Sequence, residues 1–579
     1  MRCTSRRWWS SLLGVGTALV VSTQASSNEL SPSPDHAIRA LLAEHGTDLR
    51  VKWDFNTGYP THVFGRAMDL GARPVSDAEF VGLARSIFDR YPGLGGFDGS
   101  VLELDSVTRM DLERIGTTNK VGVILKQVVD GVPVFGGTVS VVFSEDGKVL
   151  SIQNDALPNV EEIDVIPGLS EGQAIEIAKN VFGHSVKEVQ DSNLLIVANA
   201  DRSGPVLAWN IDIASDETNH DLPIIERLSI DANSGDLVRR ETRVHAIDLL
   251  VYGRLWATPG NKPDTTGNPE VLYDGQFVHH TSAVGSDHSD LLGDVVIPYG
   301  GTSNQVVTSS FGSSSLYCRV VTQSGSNITR TETVTPGVRR EMRLNRGRFE
   351  KGTAQANSQR HVIIFREFLK SINGTGNPFN FQVRANPNIT STCNAYYNGS
   401  SINFYLAGGG CVNTAYTTVV AHEEGHWYND LSGSGNGGDG FGEGNADTVA
   451  EYIYDTNLVG EDFCGPGCHV RNGENNRKYC GSCGAGCYGE VHVDGEVLMA
   501  AKWKVRKRLN TAYGDATGDL IADSLYVRWM DSYNDKTICT IIRDHWLVLD
   551  DNDGNLGNGT PNSAHIDGGF KDQGFPGYY

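Results

Sequence analysis

Positive charge is scarce in this chain. Its 579 residues carry 48 Lys and Arg against 70 Asp and Glu, a formal net charge of −22. So acidic a chain offers no broad basic surface to displace counterions from a phosphate backbone, which argues against a nucleic-acid partner. Long apolar runs are also missing. After the first 25 residues, no stretch approaches the roughly 20 apolar residues of a membrane helix. No segment repeats at a fixed period. What remains is a chain with 39% hydrophobic residues and 67 glycines. That composition suits a soluble, loop-rich globular protein, long enough for about three or four domains.

The first 25 residues set the compartment. "MRCTSRRWW" is basic, "SLLGVGTALVV" is a short apolar core, and "STQA" ends on the small residue Ala25. This is the layout of a secretory signal peptide, and the core is too short to span a bilayer comfortably. Residues 1–25 are therefore expected to be removed on export to an extracellular or periplasmic space. "SRRWW" leaves the Sec and twin-arginine routes both open. Ten cysteines are present, and Cys3 lies in the removed segment, so nine remain. Cys464, Cys468, Cys480, Cys483 and Cys487 crowd a Gly-rich loop. In an exported chain such cysteines are expected to form disulfides rather than a zinc knuckle. Cys393 and Cys411 are a further candidate pair, and the odd count leaves one thiol over.

Two helix-then-strand blocks follow. "VSDAEFVGLARSIFDRY" from Val75 has a helical apolar period, with Ser76 or Asp77 as N-cap. "NKVGVILKQVVDGVPVFGGTVSVVFSEDGKVLSIQND", residues 119–155, alternates like strands and turns at Asp130-Gly131 and Asp146-Gly147. The pattern then repeats loosely. Ser170 and Gln173 form a capping box for "LSEGQAIEIAKNVFG", and strands resume to about Val244. These blocks are expected at 26–160 and 161–245. A β-rich lobe is expected at 246–349, and a mainly helical lobe at 350–579. The whole reads as an α+β multidomain chain.

The chemistry sits in "TTVVAHEEGHWYND". Residues four apart share a helix face, so His422 and His426 can aim at one point. A packed helix, a structural metal site and a catalytic metal site all fit this segment alone. The His-Glu-x-x-His pattern is that of zinc peptidases, with Glu423 beside the first ligand as a general base. A catalytic zinc takes three protein ligands and leaves a position open. The third is expected at Glu443, which opens "GFGEGNADTVAEYIYD". Asp447, one turn on, is placed to hold the far nitrogen of a ligand histidine, His422 in the first instance.

The segment "QVVDGVPVFGGTVSVVFSEDGKVLSI" resembles the propeptide of the fungalysin and thermolysin families of secreted zinc metallopeptidases, and the next block is similar to the module that often follows it. The Glu443–Asp447 segment resembles the third-ligand helix of the same families. That resemblance implies a two-lobed gluzincin-like catalytic domain behind two propeptide modules. It also implies a secreted zinc endopeptidase made as an inactive precursor, with protein or peptide substrates. The propeptide would act as intramolecular inhibitor and chaperone. "RRETRVHAID" is the expected junction, and no membrane contact is implied for the mature form. "NAYYNGSSINFYLAGGG" resembles the families' substrate-binding edge, which implies that Asn394 and Ala395 bind the substrate backbone. "EVHVDGEVL" resembles the segment carrying an oxyanion-binding histidine, here His492.

There are departures. The families' oxyanion tyrosine falls on Phe404; either the adjacent Tyr405 is shifted into its place as a substrate-binding residue, or the helper is absent. The aspartate that orients their histidine has no clear counterpart; Cys487 stands there, with Glu490 as a substitute. The free-amine element of the related aminopeptidases is absent. The tail concentrates oxygen ligands at Asp550, Asp551, Asp553 and Asn555, making Asp551, Asp553 and Asn555 a candidate Ca²⁺ site. It fails the EF-hand template, because Leu556 occupies the glycine position and no Glu closes the loop. The alternative to a peptidase is a secreted binding or adhesion protein on a decayed scaffold, a reading that intact Glu423 disfavours.

Overall fold

A computed structural model describes residues 34–577, apart from 47, 55, 200–201, 220–221, 244, 247–272, 274, 298, 300–302, 313, 337–339, 346–348 and 377. The expected signal segment lies outside the described residues, as do residues 247–272, which begin inside the expected junction. No helix among the described residues is long and apolar enough to cross a membrane. Helices and several sheets both occur, as an α+β chain requires.

The first part holds α1 (Pro34–His45), β1 (Arg50–Trp53), β2 (Pro60–Met68), α2 (Asp77–Arg90), β3 (Leu102–Met110), β4 (Lys120–Val129), β5 (Val132–Ser144) and β6 (Val149–Asn154). Ser76 caps α2 in a capping box with Glu79. The Asp130-Gly131 turn joining β4 to β5 has positive φ at both residues, 47° and 84°, the geometry such a dipeptide favours. The second part repeats the theme with α3 (Glu171–Phe182), β7 (Val186–Val197), β8 (Val206–Asn219), β9 (Leu222–Asp231) and β10 (Leu237–Thr242). The Ser170–Gln173 capping box opens α3. The two parts share one ten-stranded sheet, joined where Val134 of β5 pairs with Ile196 of β7.

The first half-sheet is dry on both faces. Val121, Val123 and Leu125 of β4, with Val139, Val141 and Phe143 of β5, face α2. Phe64, Met110, Leu112, Ile115, Val142 and Leu150 instead join the main core of the C-terminal lobe. A register shift at Val142/Phe143 accompanies the placement of Leu150 and Ser151, side by side in sequence, against that lobe. Polar contacts frame the contact face. Thr117 and Lys120 donate to the Asp551 carbonyl at 2.6 and 2.8 Å, Asn534 N–H donates to Gln153, and Ser151 meets the Tyr533 hydroxyl at 2.8 Å.

The C-terminal part begins with β11 (His245–Ala246) and runs through β12 (His279–Ser282), β13 (Gly285–His288), β14 (Gln305–Ser310), β15 (Cys318–Val320) and β16 (Thr329–Val334). Then come α4 (Glu350–Asn373), β17 (Val383–Ile389), β18 (Ala395–Tyr397), β19 (Ile402–Tyr405), α5 (Thr417–Leu431), α6 (Phe441–Tyr454), α7 (Val491–Tyr513), α8 (Asp515–Met530), α9 (Ile541–Asp550) and α10 (Ser563–Asp572). One small sheet is ordered β13-β12-β14-β16. The other, β11-β18-β19-β17-β15, takes strands from both sides of residue 349, so the β-rich region continues into the stretch read as helical. Disulfides link Cys393–Cys411, Cys464–Cys468, Cys480–Cys487 and Cys483–Cys539, and the leftover thiol is buried Cys318.

Three helices meet at glycines. A Cβ on Gly425 of α5 would fall 2.6 Å from Ala446 Cα of α6. One on Gly444 of α6 would fall 2.3 Å from the Gly495 carbonyl of α7. Only glycine lets these backbones approach so closely. We expect Gly425→Ala to gain about 1 kcal/mol of helix propensity and to lose more to overpacking, which costs roughly 1–3 kcal/mol where backbone must move. A lower thermal midpoint would bear this out; an unchanged midpoint would contradict it.

Candidate metal centre

The close helix packing gathers polar side chains in a buried place. His422 and His426, one turn apart on α5, bring their Nε2 atoms to 3.1 Å. Glu443, in the first turn of α6, sets Oε2 3.4 Å from His422 Nε2 and Oε1 3.4 Å from His426 Nε2. Ligands about 2.0–2.1 Å from a tetrahedral zinc lie roughly 3.3 Å apart, so these separations match the ligand triangle of such a site. His422, His426 and Glu443 form one of two metal-capable groups among the described residues.

Each ligand candidate is held from behind. Asp447 Oδ1 lies 2.7 Å from His422 Nδ1, and Asn436 Oδ1 lies 2.8 Å from His426 Nδ1. Both contacts leave Nε2 as the atom facing the centre. Burial disfavours a charged His422, but the charge and hydrogen bond of Asp447, with Glu443, outweigh it and lift the imidazole to about 9. The field that favours a proton there also favours a cation. Burial would raise Glu443, yet His492, His426 and His422 hold it well below the usual carboxylate range.

Glu423 is fully buried, and neither oxygen accepts a well-formed hydrogen bond. Burial is the main reason its carboxyl is pushed up to about 8; the charge on His422 opposes the rise. Arg471 was not foreseen. It is 3% exposed, donates to Asp447 Oδ1 at 2.8 Å and forms an ion pair with Glu443 Oε2 at 3.2 Å. With the histidines neutral, as ligands are, Glu443 and Asp447 against Arg471 leave one negative charge unbalanced in a dry site, and Glu423 adds a second once it gives up its proton. A divalent cation neutralises that excess, so the donor set fits zinc in charge as well as in spacing.

His492 is the second residue of α7, and its Nε2 lies 3.5 Å from Glu443 Oε1. Glu490 takes the orienting place: its Oε1 meets His492 Nδ1 at 2.5 Å while Oε2 accepts the Val493 N–H as a helix cap. Burial opposes ionisation of Glu490, but the bond to His492 pulls it down to about 2.

Asn394 and Ala395 lie at the start of β18. The Asn394 side chain accepts the Ala395 N–H, and its carbonyl takes the Thr414 hydroxyl. The edge of β18 is occupied within the chain itself. His245 and Ala246 of β11 pair antiparallel with Tyr397 and Tyr396. Tyr405 is buried on β19 and packs with Tyr396 and Ile389 in a separate small cluster. It is Tyr396 whose phenol feels the Glu423 charge.

The acidic tail turns in on itself. Asp553 accepts from Asn555 N–H and Asn558 Nδ2, and Asn555 accepts from Gly557 N–H. Asp550 is saturated by Thr560 and Asn562, and Lys120 donates to the Asp551 carbonyl. These oxygens are occupied by donors of the protein, and no converging set of three carboxylates appears here among the described residues.

Comparison with known proteins touches the N-terminal part. The family model of the Fungalysin/Thermolysin Propeptide Motif matches residues 122–156, the stretch from β4 through β6. The match supports a propeptide of that family and points to peptidases. No curated protein matches the chain. Among solved structures, the Bacillus megaterium YpeB C-terminal domain is similar at 17% identity, over 36% of this chain and 95% of that one, with a TM-score of 0.18. A likeness at that level carries no argument.

Asn436 offers the cleanest check on the supporting shell. Its amide bonds Asp430 at 3.0 Å and the His426 carbonyl at 3.2 Å while its oxygen holds the ring. Asn436→Ala should weaken zinc binding roughly 10–100-fold, read by competition with a chelator. An unchanged affinity would mean that His426 needs no such support.

Proposed function

We propose that the chain is the precursor of a secreted zinc endopeptidase. The observation that carries this reading is the triangle of His422, His426 and Glu443 with unsatisfied, buried Glu423 beside it. The propeptide match supports it from an independent part of the chain. Zinc held by His422, His426 and Glu443 supplies a Lewis acid that polarises an amide carbonyl and acidifies water. Glu423 takes the proton from the attacking water and delivers it to the leaving amine. Its raised proton affinity suits a group that must hold a proton between two steps. His492 Nε2 donates to the oxygen that gains charge, with Glu490 fixing the ring through Nδ1. Arg471 restrains Glu443 and Asp447, so that the metal-binding face keeps its shape. Asn394, Ala395 and the rest of β18 offer an extended peptide a strand to pair with.

That same edge explains the inactive state. The His245–Ala246 segment, in the expected junction, already pairs with β18. A substrate strand and this segment compete for one edge. The N-terminal units to about residue 245 act as inhibitor and as part of the folding core, and their release after the junction is cut frees the cleft.

Two experiments test this. Casein hydrolysis by the processed protein should fall at least about 100-fold in Glu423→Gln at equal zinc content. Loss of activity in the variant supports the mechanism, and equal activity in both defeats it. No activity in either, with zinc bound and the N-terminal units removed, would favour a binding protein on this scaffold. Separately, Ala246→Pro removes a backbone donor and fixes φ, which a paired strand tolerates poorly. The uncut variant should admit a small fluorogenic peptide faster than the uncut parent; identical rates would show that the β11 pairing does not block the cleft.

A further inference from the structure

A second group of metal-capable side chains lies away from the first, where the N-terminal sheet meets the C-terminal lobe. His62 comes from β2, His545 from α9, and Asp535 from the loop between α8 and α9. One donor atom from each lies within 4.8 Å of the other two. His545 and Asp535 are 1% and 4% exposed.

The hydrogen bonds determine which nitrogen of His62 is free. The Thr61 hydroxyl lies 3.4 Å from the Lys52 carbonyl and 3.1 Å from His62 Nδ1; a hydroxyl donating to that carbonyl accepts from Nδ1. In that arrangement the proton sits on Nδ1 and Nε2 presents its lone pair. That Nε2 is shielded from water and has no partner. A lone pair held open in a dry place by a bond to the opposite nitrogen is the arrangement of a metal-ligating histidine. The other two donors meet across a hydrogen bond, whose proton a bound metal ion would displace. Asp535 Oδ2 accepts from Trp529 Nε1 and meets His545 Nδ1, each at 2.7 Å. Tyr533 stacks on the His545 ring at 3.7 Å between centroids and 9° between planes. Nearby cations are already matched: Lys52 pairs with Asp544 at 3.1 Å, and Arg202 with Asp54 at 3.3 Å.

We propose that His62, His545 and Asp535 form a second site for a divalent transition metal of the zinc class, which cross-links the N-terminal unit to the C-terminal lobe. Two imidazoles and one carboxylate are a borderline donor set that suits zinc better than calcium or magnesium. Neither lobe supplies enough donors alone, so the ion binds only while the two are together and stabilises their contact by mass action. The site is independent of the peptidase reading. It requires only that the two lobes stay docked.

Zinc content of the uncut chain tests the proposal, with Glu423→Gln present throughout to keep it intact. After gel filtration, about two equivalents are expected in that background, about one with His62→Gln added, about one with His422→Ala added, and none with both. Circular dichroism checks that each variant folds. In the His422→Ala background, added zinc should raise the unfolding midpoint, and adding His62→Gln should abolish the rise. Separating the N-terminal unit after a protease cut should release one equivalent, a readout that needs no change at His62. One equivalent that is lost with His422→Ala would overturn this proposal and leave the catalytic centre standing. Two equivalents that persist in His62→Gln would overturn it as well. Loss of zinc from the His422 site with retention at His62 would instead defeat the peptidase reading alone.

Discussion

Charge taken out of water must be balanced where it lies, and the centre of this molecule follows from that constraint. Glu423, Glu443 and Asp447 sit among helices packed too tightly to admit bulk solvent. Arg471 answers part of their charge and the facing imidazoles arrange the rest. The glycine contacts at Gly425, Gly444 and Gly495 create both halves of the problem: they bring the metal-capable side chains together, and they exclude the water that would otherwise screen them. Desolvation is costly for an isolated carboxylate and useful for one that must bind a cation or carry a proton.

Local signals made much of this legible from the residues alone. Helical spacing placed His422 and His426 on one face, and the acid at the start of the next helix stood out as the candidate that the structure brings beside them. Capping boxes at Ser76 and Ser170 and the Asp130-Gly131 turn located their elements because each depends on neighbours in sequence. Arg471 and Asn436 carried no such signal. Arg471 reaches Glu443 and Asp447 across 28 and 24 positions, and Asn436 lies in a glycine-rich connection that reads as a mere linker. The pairing of His245–Ala246 with Tyr396–Tyr397 spans about 150 residues, and no periodicity encodes a contact of that range.

Domain limits were blurred for a related reason. Composition changes near residue 349, yet β17 to β19 lie beyond it and complete a sheet with β15 before it. Strand pairing, not composition, decides which segments belong together. Glu490 teaches the same lesson on a smaller scale. Its sequence position suggests only a substitute for a missing aspartate, while its geometry makes it at once the cap of a helix and the anchor of the histidine inside that helix.

The first half-sheet has two dry faces. Val141 and Ile152 look toward α2, while Val142 and Leu150 look into the other lobe's interior. Parting the lobes would therefore wet side chains that are composed as core. The peptide bond at a junction is only a tether; cutting it removes no apolar contact. The work of separation lies in hydration, so scission and release are distinct events, and a nicked molecule can remain assembled until something else, such as solvent, temperature or a competing surface, accepts the exposed face.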